Sequence, residues 1–199
     1  VIGGLVDVAD ALIHRIDRPD GLDLHQPRLS LSPQRFGCVG VGGEVLQVAD
    51  LVHRLVGGCA GDPRGGLLAA EFTRTNGSSA WFDMGFVTYS NAAKAQLLGV
   101  HEATLAFYGA VSEEVVREMA IGALLAAKAD YALSISGIAG PGGGSEEKPV
   151  GTVWFGLADK QHIWARQAHF SGNRSEVRAQ AVQFALAFLW EKVQEGAAA

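Results

Sequence analysis

The alternation of apolar and polar positions is clearest in the C-terminal part of the chain. Tyr131–Ala132–Leu133–Ser134–Ile135–Ser136 is a short apolar-rich run entering a glycine-rich turn, and it predicts a strand. Val150–Leu157 and Ile163–Phe170 predict a hairpin around Asp159–Lys160. Val177, Ala181, Phe184, Leu186 and Leu189 mark the core face of a last helix, with Asn173 and Glu176 at capping-box spacing before it. Upstream, Ser112 followed by Glu113–Glu114 starts a helix through about Lys128. The hydroxyl can cap it, and acids in the first turn suit the positive end of its dipole. Phe86–Val87–Thr88–Tyr89 reads as a strand, and Ser90 or Asn91 as the cap of a helix running to Leu98. Leu67–Phe72 reads as a short helix that stops near Asn76–Gly77. Strands and helices mixed in this order predict a layered α/β domain.

The pattern breaks toward the N-terminus. From Val1 to Gly66 there is no Lys, Asn, Thr, Met, Trp or Tyr, and Glu44 is the single Glu. Gly, Val, Leu, Asp and Arg crowd this segment, and Pro19, Pro27, Pro33 and Pro63 punctuate it. Asp7–Ile16 and Glu44–Leu55 carry a few apolar residues at helical spacing, but glycine or proline turns flank both. The chain therefore divides into an atypical segment, residues 1–64, and a regular α/β domain, residues 65–199.

Composition narrows the function classes. The 199 residues are 48% hydrophobic and 19% charged, enough for one domain with a real core. A net charge of −5 with no basic run argues against nucleic acid and anionic membranes as partners. No stretch approaches the roughly 20 apolar residues a membrane span needs. Val1–Val8 holds Asp7 and no basic lead-in, so it does not read as a signal peptide. Cys38 and Cys59 are too few and too isolated for a disulfide framework or a zinc site, which points to a reducing, cytoplasmic setting. The six histidines show no metal-ligand spacing, so no metal is expected.

The chemistry-bearing segment is Ser136–Gly137–Ile138–Ala139–Gly140–Pro141–Gly142–Gly143–Gly144–Ser145. Glycines let a backbone approach a ligand and turn successive N–H groups toward an anion, and Ser136 adds a donor. In an α/β sheet such a loop lies beyond the carboxyl end of a strand, where ligands bind. Taken alone it is equally a flexible connector.

Other segments stand in register with it: Gly77–Ser78–Ser79–Ala80–Trp81–Phe82, Gly85–Phe86–Val87–Thr88–Tyr89–Ser90–Asn91 with Lys94, Pro149–Val150–Gly151–Thr152–Val153, and Phe170–Ser171–Gly172–Asn173–Arg174. Together these motifs resemble the CinA C-terminal domain, the nicotinamide mononucleotide (NMN) deamidase family also called PncC, over about Gly65 to Gln194. The resemblance implies a three-layer α/β/α sandwich with a mixed sheet. It implies a bacterial, cytoplasmic, commonly self-associating amidohydrolase of pyridine-nucleotide salvage, which converts NMN and water to nicotinate mononucleotide and ammonia without metal or cofactor. It also implies a serine nucleophile with a lysine and a tyrosine beside it, which fall here on Lys94 and Tyr89.

On spacing alone, Lys94 reads as a solvent-facing lysine and Tyr89 as a core residue with its hydroxyl at the surface. A lysine becomes a base when desolvation or a nearby cation lowers its pKa. Ser136, Gly137, Gly140 and Gly142 are candidates to hold the nucleotide's phosphate or ribose. Arg174 opens the last helix, where it can grip phosphate or stand exposed near Glu176. Ser78 and Ser79 read as turn caps.

The sequence departs from the family at the nucleophile. With the two glycines of the family's Glu-Ser-Cys-Thr-Gly-Gly motif set on Gly65–Gly66, Asp62 occupies the serine position, and no Ser lies between Ser32 and Ser78. Asp62 and Cys59 are the substitutes on offer; beside Pro63 and Arg64 the first reads as a turn residue, and the second as a small buried hydrophobe. Residues 1–64 read either as the product of a shifted frame in GC-rich DNA or as the replaced N-terminus of a divergent homologue. In both cases the domain is expected to lack the family's first helix and strand. The alternative function is a catalytically inactive nucleotide-binding homologue.

Overall fold

A computed structural model of the chain describes residues 55–60, 66–74 and 76–197. Five strands form one sheet: β1 (Leu55–Ala60), β2 (Phe82–Val87), β3 (Tyr131–Gly137), β4 (Thr152–Ala158) and β5 (Ile163–His169), in the spatial order β2-β1-β3-β4-β5. β1 runs parallel to both β2 and β3, whereas β3, β4 and β5 are successively antiparallel. The sheet is therefore mixed. The described helices are α1 (Leu67–Phe72), α2 (Asn91–Leu98), α3 (Glu102–Tyr108), α4 (Glu113–Ala127) and α5 (Arg174–Ala197).

Strand alternation sorts the helices onto two faces. Leu133 and Ile135 of β3, with Val153, Phe155 and Leu157 of β4, pack against Leu68 and Phe72 of α1 and against Val177, Ala185 and Phe188 of α5. Ala132 of β3 packs on the other side with Met119 and Ala123 of α4, Leu98 of α2 and Leu105 of α3. The result is the three-layer α/β/α sandwich expected above. α4 sits close to the sheet. Ser134 and Gly156 are register partners; the Ser134 hydroxyl donates to the Val116 carbonyl at 2.6 Å, and a Cβ on Gly156 would lie 2.3 Å from that oxygen.

The anticipated caps form. The Ser90 hydroxyl accepts from the Ala93 N–H at 3.0 Å and the Ser112 hydroxyl from the Val115 N–H at 3.4 Å. Asn173 Oδ1 accepts from the N–H groups of Ser175 and Glu176, while Glu176 accepts from the Asn173 N–H at 2.7 Å, completing the box.

Three expectations change. The domain does not lack a first strand, because Leu55–Ala60 fills the sheet position between β2 and β3, hydrogen-bonded on both sides. Leu55 accordingly belongs to a strand, not to the end of a helical patch; the rest of that patch, Asp7–Ile16 and the position of the first family helix lie outside the described residues. β2 runs Phe82–Val87 rather than Phe86–Tyr89, because its ladder with β1 begins at Phe82, with a register irregularity between Leu55 and Val56, and ends at Val87. The region 102–108, unassigned in the sequence, is helix α3.

Candidate active site

The parallel strands β2, β1 and β3 end together, and the segments that leave β2 and β3 build the described part of the site. Residues 61–65, which follow β1 and include Asp62, lie outside the described residues, as does the Cys59 side chain.

The segment after β2 carries the buried cation. Ser90 caps α2, which turns Lys94 inward during the first turn, so that Lys94 is 2% exposed. Its ammonium donates to the carbonyls of Thr88 at 3.1 Å and Tyr89 at 3.4 Å. Burial disfavours the charged form and lowers the Lys94 pKa from the ordinary lysine value. Tyr89 meets Lys94 through its carbonyl, and the residue as a whole is 59% exposed. Thr88 is wholly buried, and its hydroxyl has no hydrogen-bond partner.

The segment after β3 is the glycine loop. Ser136 is buried and its hydroxyl donates to the Ala110 carbonyl at 2.6 Å, fixing the turn before α4. Gly137 ends β3, and Ile138 continues the ladder through the Thr152 carbonyl at 2.9 Å. Gly140 has a left-handed φ of 76°, a conformation that suits glycine, and its carbonyl accepts from Arg174 at 2.7 Å. Gly142 faces open space. The start of α5 reaches this end because β5 finishes there, His169 pairing with Thr152. The structure thus joins Tyr89 to Lys94 and Arg174 to the Gly140 loop, and turns the Ser136 hydroxyl onto backbone.

Two contributors carried no plain sequence signal. Lys148 reaches across 40 positions to donate to the Tyr108 carbonyl at 2.7 Å. Thr88 lies inside the motif quoted above, but nothing in a sequence marks a hydroxyl as unpartnered. Among the described residues there is no group of three His, Cys, Asp or Glu side chains placed to hold a metal, and no helix is long and apolar enough to cross a membrane.

A buried lysine with a lowered pKa, held by carbonyls at the carboxyl end of a sheet, is a candidate general base. The sequence model of the CinA C-terminal domain matches residues 57–193. The chain belongs to the CinA C-terminal domain family. That match begins inside β1, so this strand is part of the CinA C-terminal domain. The chain is 64% identical over 129 residues to nicotinamide-nucleotide amidohydrolase PncC of Escherichia coli K12, covering 64% of this chain and 78% of that protein. It is 63% identical to the protein of the same name from Enterobacter agglomerans, covering 64% of this chain and 79% of that one. A crystal structure of a CinA superfamily protein from Klebsiella pneumoniae 700603 superposes with a TM-score of 0.68 at 43% identity, covering 71% of this chain and 88% of that one.

Proposed function

We propose that this chain is a nicotinamide-nucleotide amidohydrolase that converts NMN and water to nicotinate mononucleotide and ammonia. The observation that carries this reading is the buried Lys94, which pairs with no carboxylate among the described residues, in a domain 64% identical to an enzyme of that name. In its neutral form Lys94 takes the proton of the attacking nucleophile, and its carbonyl bonds to Thr88 and Tyr89 hold the amine in place. The nucleophile adds to the carboxamide carbon, and the C–N bond breaks as the leaving ammonia collects the proton from Lys94. Water then releases the acid. Tyr89 lies beside this centre. Ser136, Gly137, Gly140, Gly142 and Arg174 shape the loop that receives the nucleotide portion. We place the protein in the cytoplasm as a self-associating enzyme with NMN as its small-molecule partner.

Asp62 at the serine position favours a second reading, a binding protein that retains the pocket without turnover. One assay separates the two: release of ammonia and nicotinate mononucleotide from NMN, with Lys94→Ala as control, alongside calorimetric titration with NMN. Turnover that disappears in the control supports the enzyme; saturable binding without turnover supports the binder. Neither binding nor turnover removes both.

A further inference from the structure

A hollow lies at the opposite end of the sheet from Lys94. It holds about 490 Å³ between the last two turns of α4 and the turn that joins β4 to β5. Ala158 ends β4 there, paired with Ala132 near the start of β3 and with Ile163 at the start of β5. The walls are apolar: Ile121, Leu124 and Leu125 of α4 line the hollow together with Ala158 and Ile163. Leu125 is 70% exposed and Ile163 40%, so apolar surface stands uncovered inside a space of small-molecule size.

The rim is fixed, and it leaves one charge over. Arg117 ties α4 to β5, donating to the Ile163 carbonyl at 3.0 Å while it pairs with Glu113. On the turn, Asp159 Oδ1 accepts from the N–H groups of Gln161 at 2.7 Å and His162 at 2.6 Å, and Oδ2 lies 3.4 Å from His162 Nδ1. The His162 ring stacks on Trp164, and Lys160 pairs with Asp130 at 2.5 Å. Lys128 also lines the hollow and meets no carboxylate among the described residues. It caps α4 from a left-handed φ of 50°, the one positive φ outside glycine among the described residues. The Leu125 and Leu124 carbonyls are satisfied there by the N–H groups of Lys128 at 3.3 Å and Ala129 at 3.1 Å. Glycine takes such a cap without strain, so what lysine adds is an ammonium group beside apolar walls.

We propose that this hollow binds a small amphipathic organic acid, with its hydrocarbon part against Leu124, Leu125 and Ile163 and its carboxylate on the Lys128 ammonium. The inference is independent of the amidohydrolase reading and stands or falls without it. Octanoate is the probe and octanol its uncharged counterpart, each titrated calorimetrically into the full-length chain, Lys128→Gly and Leu125→Glu. The parent binds octanoate saturably and more tightly than octanol. Lys128→Gly suits the left-handed cap and so keeps the fold; it binds octanoate about tenfold more weakly and octanol unchanged. Leu125→Glu, at an exposed position of α4, loses both ligands while its thermal unfolding stays that of the parent. Absence of saturable octanoate binding to the parent overturns the proposal, as does equal affinity for octanoate and octanol. Octanoate affinity unchanged in Lys128→Gly overturns the carboxylate contact and the ligand class with it. Octanoate binding that survives Leu125→Glu belongs elsewhere on the chain and overturns the site.

Discussion

The Lys94 ammonium donates to the Thr88 carbonyl at 3.1 Å from a position only 2% exposed, and no carboxylate among the described residues pairs with it. A charge placed there costs stability, which is offset only in part by two carbonyl acceptors. That cost is the physical basis for reading Lys94 as functional.

It has a pH signature. The folded pKa of Lys94 lies below its ordinary value of 10.5, so between those two values the unfolded chain binds more protons. Stability therefore rises with pH across that window, and below it the full penalty stands. Lys94→Met is expected to unfold at a higher temperature than the parent at pH 7, with the gap closing as pH approaches 10.5. The same variant loses NMN turnover. Thermal unfolding across pH, beside the ammonia assay, checks both; a variant less stable than the parent at pH 7 contradicts the account.

Thr88 offers a second test of the same corner. A buried hydroxyl without a partner costs about 1–3 kcal/mol, and Val keeps the shape while removing it. Thr88→Val is expected to match or exceed the parent in denaturant midpoint. A clear drop would show that the hydroxyl is bonded in solution.

How much of this was legible in the sequence depended on range. Ser90, Ser112 and the Asn173–Glu176 box could be read because a cap involves residues within three positions of each other. β1 could not: Leu55–Val56–Gly57–Gly58–Cys59–Ala60 contains two glycines, which weaken local strand preference, and it is a strand because β2 and β3 pair with it. The site divides the same way. Lys94 and Tyr89 were found through a motif, but the burial of one and the exposure of the other are tertiary facts. The Lys148–Tyr108 and Ser136–Ala110 bonds join residues 40 and 26 positions apart, and no local pattern announces them.

The placement of α2, and with it Lys94, depends on a glycine in the neighbouring helix. A Cβ on Gly122 of α4 would stand 1.7 Å from the Leu98 carbonyl oxygen at the end of α2. Backbone cannot yield as a side-chain tip does, so Gly122→Ala must push the helices apart. We expect a loss of about 1–3 kcal/mol or more, read as a lower denaturant midpoint, with NMN turnover falling further than stability alone explains. An unchanged midpoint would mean that α2 does not pack there.

The last prediction concerns the segment after β1. We propose that residues 1–54, which precede β1, are not the family's own sequence, either frame-shifted or replaced, and that the chain departs from the family again at Gly61–Arg64 after that strand. Asp62 is a poor stand-in for serine here: an acyl intermediate on a carboxylate is an anhydride, formed from a carboxamide only against a steep gradient. β1 ends beside β2 and β3, so the segment leaving it starts at the same carboxyl end of the sheet as the segment that carries Lys94. Replacing Gly61, Asp62, Pro63 and Arg64 by Glu, Ser, Cys and Thr should therefore raise NMN turnover by orders of magnitude, and Lys94→Ala in that background should abolish the gain. Turnover in the parent equal to that of the replaced chain would show that Asp62 or another group already serves as nucleophile. Peptide mass spectrometry of the native protein addresses origin separately, since recovery of peptides from residues 1–54 would refute a frame shift introduced in sequencing.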